Sequence, residues 1–275
     1  MVGVGQDRLN KDEFYAAVAD MDDKALKKVL WTLYWRGTGQ VRERIAELLG
    51  VAPEPVAPPA PIPEFVLADV TEFVTLARAG AYIGGDRRVT PKQRTRWRFI
   101  FRDLVDLSLQ VLHEDDEESV QAGVAALSLL VDLAVDSRGT EFFRSEDPVE
   151  AAQFVVTDAV RAIWLRTRMV YGTTVFAERA SVQLLRWEST YGWTRFGEGR
   201  VAAREVTLAQ VLEEILVTPD MWNEFAVKYV EALDGRSKRG AGASDLKPWN
   251  AMLSQRLVGS DQEHLIARLK VPRTR

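Results

Sequence analysis

Residues 51–63 read VAPEPVAPPAPIP, with prolines at 53, 55, 58, 59, 61 and 63. Proline fixes φ, removes a backbone donor and clashes with the preceding helical turn, so this stretch cannot lie inside a helix or a central strand. It favours extended polyproline II, and at ~3.1 Å per residue such a run spans about 40 Å. No basic residue lies within it to orient an SH3-type ligand, so it reads as a stiff spacer. The chain is thereby divided into a small module at 1–50, a linker at 51–63 and a body at 64–275.

The body carries helix-start signals followed by apolar residues at helical spacing. Thr90-Pro91-Lys92-Gln93 is a capping box with proline at the first helical position, and Asp147-Pro148-Val149-Glu150 follows the same logic with Asp as cap. Thr207 with Gln210, and Ser260 with Glu263, repeat it, while Thr218-Pro219 opens another helix. Further starts are expected near 117 and 174. One apolar stripe is Trp97, Ile100, Phe101, Leu104, Leu107 and Val111; another is Trp222, Phe225, Ala226, Tyr229, Val230 and Leu233, closed by Gly235. Residues 120–135 are apolar on nearly all sides, which marks a helix packed on several faces. Only residues 191–205 (YGWTRFGEGRVAARE) leave the helical pattern, and their Gly-Glu-Gly suits the turn of a short hairpin. No repeat is visible. The expected fold is all-α: an irregular helical array or α-solenoid-like bundle, with a small N-terminal helical module on the spacer.

The module offers three helices, at about 10–19, 22–36 and 38–49, with Trp31, Tyr34 and Trp35 as an aromatic ridge at i, i+3 and i+4. So few residues bury too little surface to fold robustly alone. The ridge is therefore expected to dock on a larger surface, either the body or a second chain. The other tryptophans fall in helical stripes and are expected in the core, with Trp193 the least certain to be buried.

The inventory for chemistry is thin. With no cysteine and two histidines, the chain has no thiolate nucleophile, disulfide, Cys-based metal site or His-rich centre. Phosphate-binding glycine loops, GxSxG and HExxH are missing too. His113 heads a run of five carboxylates at 114–118, which reads as a solvated loop with Asp115 or Asp116 capping the next helix. His264 reads as a surface residue. The expectation is no catalytic residue, no cofactor and no metal. The longest apolar stretch, 123–131, is far short of the ~20 residues of a membrane span, and the N-terminus does not resemble a signal peptide. A cytoplasmic protein without membrane contact is expected.

Net charge is −4, so attraction to an anionic partner requires a local patch. One exists. Between 84 and 102 the basic residues are Arg87, Arg88, Lys92, Arg94, Arg96, Arg98 and Arg102, against Asp86 alone; between 103 and 118 there are seven acids and no Lys or Arg. Cations at the start of a helix and anions toward its end oppose the macrodipole. Broken local rules often mark function. At 100° per residue Arg94, Arg98 and Arg102 form one ridge, Lys92 and Arg96 flank the other side, and Phe99 lies between them on the polar face.

Phe142-Phe143-Arg144-Ser145-Glu146-Asp147-Pro148, together with Arg186-Trp187-Glu188 and Tyr191-Gly192-Trp193, resembles phrases in uncharacterised, largely helical actinobacterial proteins. The preference for Arg over Lys, and for Ala and Val over Ile, agrees with a GC-rich genome. The resemblance implies a helical body and no activity.

These features favour a non-catalytic helical scaffold or adaptor that binds another protein. Its contact residues are expected to be Arg94, Arg98, Arg102 and Phe99, facing an acidic segment, and Trp31, Tyr34 and Trp35, which also suit a homodimer through the module. The alternatives are a nucleic-acid-associated protein using the basic end at 87–102, which the acidic total opposes, and an enzyme with an unfamiliar helical site.

Overall fold

Apolar helices sort themselves by how many faces they must hide, and the sixth helix here hides most. The computed structural model describes residues 9–51, 60–235 and 241–269. Among them are twelve α-helices and no strand, an all-α helical array. Two compact units divide the chain, Met1–Ala60 and Pro61–Arg275.

The first unit holds α1 (Lys11–Ala19), α2 (Asp23–Arg36) and α3 (Gly39–Leu48). Asn10 and Glu13 form a reciprocal capping box on α1, and Asp22 caps α2. None of the three helices has a buried residue.

The second unit begins with α4 (Pro63–Arg78), so Pro63 is the first residue of a helix rather than the last of the spacer; residues 52–59 of that spacer lie outside the described residues. Next come α5 (Pro91–His113), α6 (Glu117–Asp136), α7 (Pro148–Ala152) and α8 (Val156–Trp187). The chain closes with α9 (Leu208–Ile215), α10 (Pro219–Asp234), α11 (Ala243–Leu257) and the short α12 (Ile266–Leu269). Helix α6 packs against α4, α5 and α8, and between Val120 and Ser137 only Gln121 is exposed. By length and composition α6 alone among the described residues matches a membrane span, although the apolar run 123–131 within it is short. Its neighbours on three sides account for its apolarity.

Caps fall where the sequence places them: Thr90 with Gln93, Asp116, Asp147, Thr207 with Gln210, and Thr218 each accept from the first turn of their helix. Ser260 does not. Its hydroxyl donates to the Leu257 carbonyl and accepts from Gln262 N–H, and Glu263 accepts from Gly259 N–H, so the two residues form no reciprocal capping box at the 3₁₀ turn that starts at Glu263. The start expected near 174 is real but lies inside α8. Gly172 sits at φ 80°, ψ 177° and folds the helix back on itself. Trp164 Nε1 donates to Gln183 Oε1 at 2.7 Å, across nineteen residues that a straight helix would hold about 28 Å apart.

Six tryptophans are buried: Trp97, Trp164, Trp187, Trp193, Trp222 and Trp249. Trp97 stacks on Phe143 at 4.1 Å between ring centroids, and Trp222, Phe225, Tyr229 and Trp249 form a second aromatic cluster joining α10 to α11. Trp193, whose expectation of burial was the weakest of the six, is in the core too. It is 1% exposed, and its Nε1 donates to the Trp187 carbonyl at 2.9 Å.

Candidate functional site

Three places gather polar or aromatic groups, and each is best understood from the backbone that builds it. The first is the segment 188–207, which contains the stretch 191–205 where the turn of a short hairpin was expected. It is a series of turns, because side-chain carboxylates take the place of a cross-strand partner. Glu150 accepts from Arg200 and Val201 N–H, both at 2.9 Å, and Asp147 accepts from Arg195 N–H at 2.7 Å. Gly199, at φ 116°, lies so close that a Cβ would sit 2.5 Å from the Glu150 carboxyl carbon. Glu205 accepts from Val156 N–H, Thr157 N–H and the Thr157 hydroxyl at the start of α8. Glu188, at the end of α8, accepts from Ser189, Leu208 and Ala209 N–H and so caps α9. Carboxylates suit helix N-termini, where donors lack partners and the dipole is positive.

A polar cavity of about 280 Å³ lies beside this segment, lined by Thr190, Tyr191, Thr194, Glu205, Thr207 and Gln210. Burial pushes the Glu188 and Glu205 carboxyls above the usual range, against the pull of the N–H groups that favour the anion. Both acids are occupied by backbone donors, which makes them structural staples. The folded state therefore holds the Glu188 proton more tightly than the unfolded chain. Its stabilisation is full below the ordinary carboxylate range and declines as pH rises through the folded pKa. In urea titrations at pH 4.5 and 7, the stability difference between the parent and Glu188→Gln should shrink at the higher pH; a difference that grows would contradict this account.

The second place is the N-terminal half of α5. Arg102 is not a free cation: Nε donates to the Ala152 carbonyl at 2.6 Å and Nη2 to that of Ala151 at 3.1 Å, closing the C-terminus of α7. Arg98 and Arg102 both lie over the Phe99 ring, at 4.9 and 5.7 Å, and Phe99 is 40% exposed. Arg88 is bound to Asp86 through the side chain and the backbone N–H, which draws the Asp86 carboxyl down to about 2. Arg94 is half-buried, and its Nε is buried with no hydrogen-bond partner. The arginines that the sequence places on one ridge of this helix thus sit in three different environments. The carbonyl partners of Arg102 lie about fifty positions away and leave no local signal.

The third place is the first unit. Trp31 stacks on Tyr34 and Trp35, with centroids 5.9 and 5.6 Å apart. Trp31 is 59% and Trp35 70% exposed, and Phe14, Tyr15, Leu33 and Leu48 are more than half exposed as well. At 100° per residue the two indoles fall among Lys24, Lys27 and Lys28, opposite Leu26, Val29 and Leu33. Both apolar stripes of this helix keep large exposed side chains, Trp31 and Trp35 on one and Val29 and Leu33 on the other, so neither is fully covered.

His113 bonds the Leu109 carbonyl through Nδ1, and His264 is exposed in a 3₁₀ turn. No group of His, Cys, Asp and Glu with metal-binding geometry occurs among the described residues. Comparison of the chain with protein-family models, with curated proteins and with solved structures yields no match. The fold and these sites define an all-α helical protein.

Proposed function

We propose that the chain is a non-catalytic helical adaptor whose N-terminal module binds another protein through Trp31, Tyr34 and Trp35. One observation carries the reading: three helices that leave none of their own residues buried while exposing two stacked tryptophans. A large exposed apolar patch marks an interaction surface, and Trp and Tyr are the residues that dominate interface energetics. A second copy of the chain is one partner that suits the module. Residues 9–51 hold seven basic and seven acidic residues, with five of the acids before Lys24 and six of the bases from Lys24 onward, a self-complementary arrangement. An acidic segment against Phe99, Arg98 and Arg94 is the second contact in this reading.

The test is the double variant Trp31→Ser/Trp35→Ser in the full chain, compared with the parent by sedimentation and by affinity capture with mass spectrometry. The variant is expected to lose about 2 kcal/mol or more of partner affinity, with unchanged thermal unfolding of the larger unit. An identical oligomeric state and an identical partner list would overturn the proposal.

A further inference from the structure

The carboxylates and caps that build the 188–207 loop leave a cavity of about 280 Å³ whose wall still holds unpartnered polar groups. Glu205 is committed to three donors at the start of α8, and the Thr207 hydroxyl to the capping box of α9. Gln210 turns Oε1 toward Thr207 and accepts from its N–H and its hydroxyl. That leaves Nε2 with two N–H groups and no acceptor among the described residues. Thr194 is 3% exposed, yet its hydroxyl has no hydrogen bond there either. Among the described residues, the buried side-chain atoms that lack both a partner and solvent contact are Arg94 Nε and Trp249 Nε1. Thr194 Oγ1 therefore borders open space, and the space that Thr194 lines is this cavity. Tyr191, which also lines it and is 76% exposed, adds a hydroxyl and a bare ring face. The Thr190 hydroxyl has only a long bond of 3.4 Å to the Asp245 carbonyl. Polar groups left without partners in a recess call for an absent one.

From this arrangement we infer that the cavity binds a neutral polyhydroxylated molecule, a single sugar ring or a cyclitol. Charge excludes the alternatives. No Lys, Arg or His lines the wall and Glu205 stands in it, so an anion is repelled. An ammonium ion would need a free carboxylate, and Glu205 already accepts three hydrogen bonds. The groups that remain are hydroxyls, which donate and accept, and an amide that donates; a polyol answers both functions without charge. The volume lies just below the ~300–1,000 Å³ of most small-molecule sites, which suits one ring. The Tyr191 ring offers an apolar face to the C–H side of that ring. The site lies wholly within the larger unit and does not involve Trp31 or Trp35, so it and the adaptor reading can fail separately.

The experiment is saturation-transfer NMR on the full chain with D-glucose, D-galactose, their methyl α-pyranosides and myo-inositol, with acetate and methylammonium as charged probes. One member of the neutral set should bind in preference to the others, because a misplaced hydroxyl leaves a polar group of the site unpaired. Thr194→Val keeps the shape and removes the hydroxyl. It should weaken that binding about three- to tenfold, as for the loss of one hydrogen bond, with no fall in melting temperature, since this hydroxyl has no partner in the fold. Thr194→Ser should bind as the parent does. Gln210→Glu preserves the capping box of α9, which Glu and Gln serve alike, but removes the Nε2 donors and should weaken binding as well. Should Gln210→Glu fail to fold, Thr194→Val and Tyr191→Ala, the latter at an exposed position, still decide the matter. Equal binding of a sugar and its methyl glycoside identifies the end of a glycan as the source, and loss of binding on methylation identifies the free sugar. Equal transfer to every neutral probe, stronger binding of acetate or methylammonium, or binding unchanged in Thr194→Val and Gln210→Glu overturns the site, as does no transfer at all.

Discussion

Trp164→Ala is expected to destabilise the larger unit by about 3–5 kcal/mol, the cost of removing a large buried aromatic side chain and leaving a cavity. Trp164 is 1% exposed and sits in the first half of α8, where the chain doubles back at Gly172. Its ring approaches Phe176 edge-on at 6.5 Å, and its Nε1 donates to Gln183, so one side chain ties the two halves together by packing and by a hydrogen bond. The deletion removes both and leaves Gln183 without its donor. Trp164→Phe keeps most of the apolar area but not the hydrogen bond, and should fall between parent and alanine. Urea unfolding followed by circular dichroism measures the series. A loss below about 1 kcal/mol for the alanine variant would mean that the reversal is held elsewhere, since surface-like substitutions fall in that range.

The helices were legible because their signals are local. Thr90, Asp147, Thr207 and Thr218 cap donors three residues ahead, and the 3.6-residue period of Trp97, Phe101, Leu104 and Val111 is contained in one element. The failures share the opposite property. Glu205 and Glu150 meet their N–H partners 48 to 51 positions away, so the turn-rich stretch 191–205 looked like a hairpin turn instead of a loop stapled by acids. Trp193 lies in the same segment, and the carbonyl that accepts from its Nε1 belongs to Trp187 at the end of α8. Ser260 and Glu263 have the spacing of a capping box but form no reciprocal one. At the basic end of α5 the charge pattern grouped Arg94, Arg98 and Arg102 on one ridge, yet only the fold reveals that Arg102 closes α7 while Arg94 keeps a buried Nε without a hydrogen-bond partner.

Gly123→Ala is expected to destabilise the same unit by about 1–3 kcal/mol through overpacking, although alanine is ordinarily the better helix former. A Cβ at this position would lie 2.6 Å from Leu112 Cα and 2.7 Å from Leu112 N. Both are backbone atoms of α5, so no rotamer change relieves the contact; the two helices must separate. Separation would loosen α6, which meets α4 and α8 on its other sides and carries Leu127, Leu130 and Leu133 with no exposed surface. Intrinsic propensity would act the other way, by roughly 0.5–1 kcal/mol in favour of alanine, which makes the sign of the change a direct measure of the α5–α6 approach. Gly139→Ala is the control: nothing lies within 4 Å of its Cβ position, and its stability should stay within about 0.5 kcal/mol of the parent. A stabilised Gly123→Ala would show that α5 and α6 lie farther apart than this contact requires, and would remove the reason for glycine in the middle of the core helix.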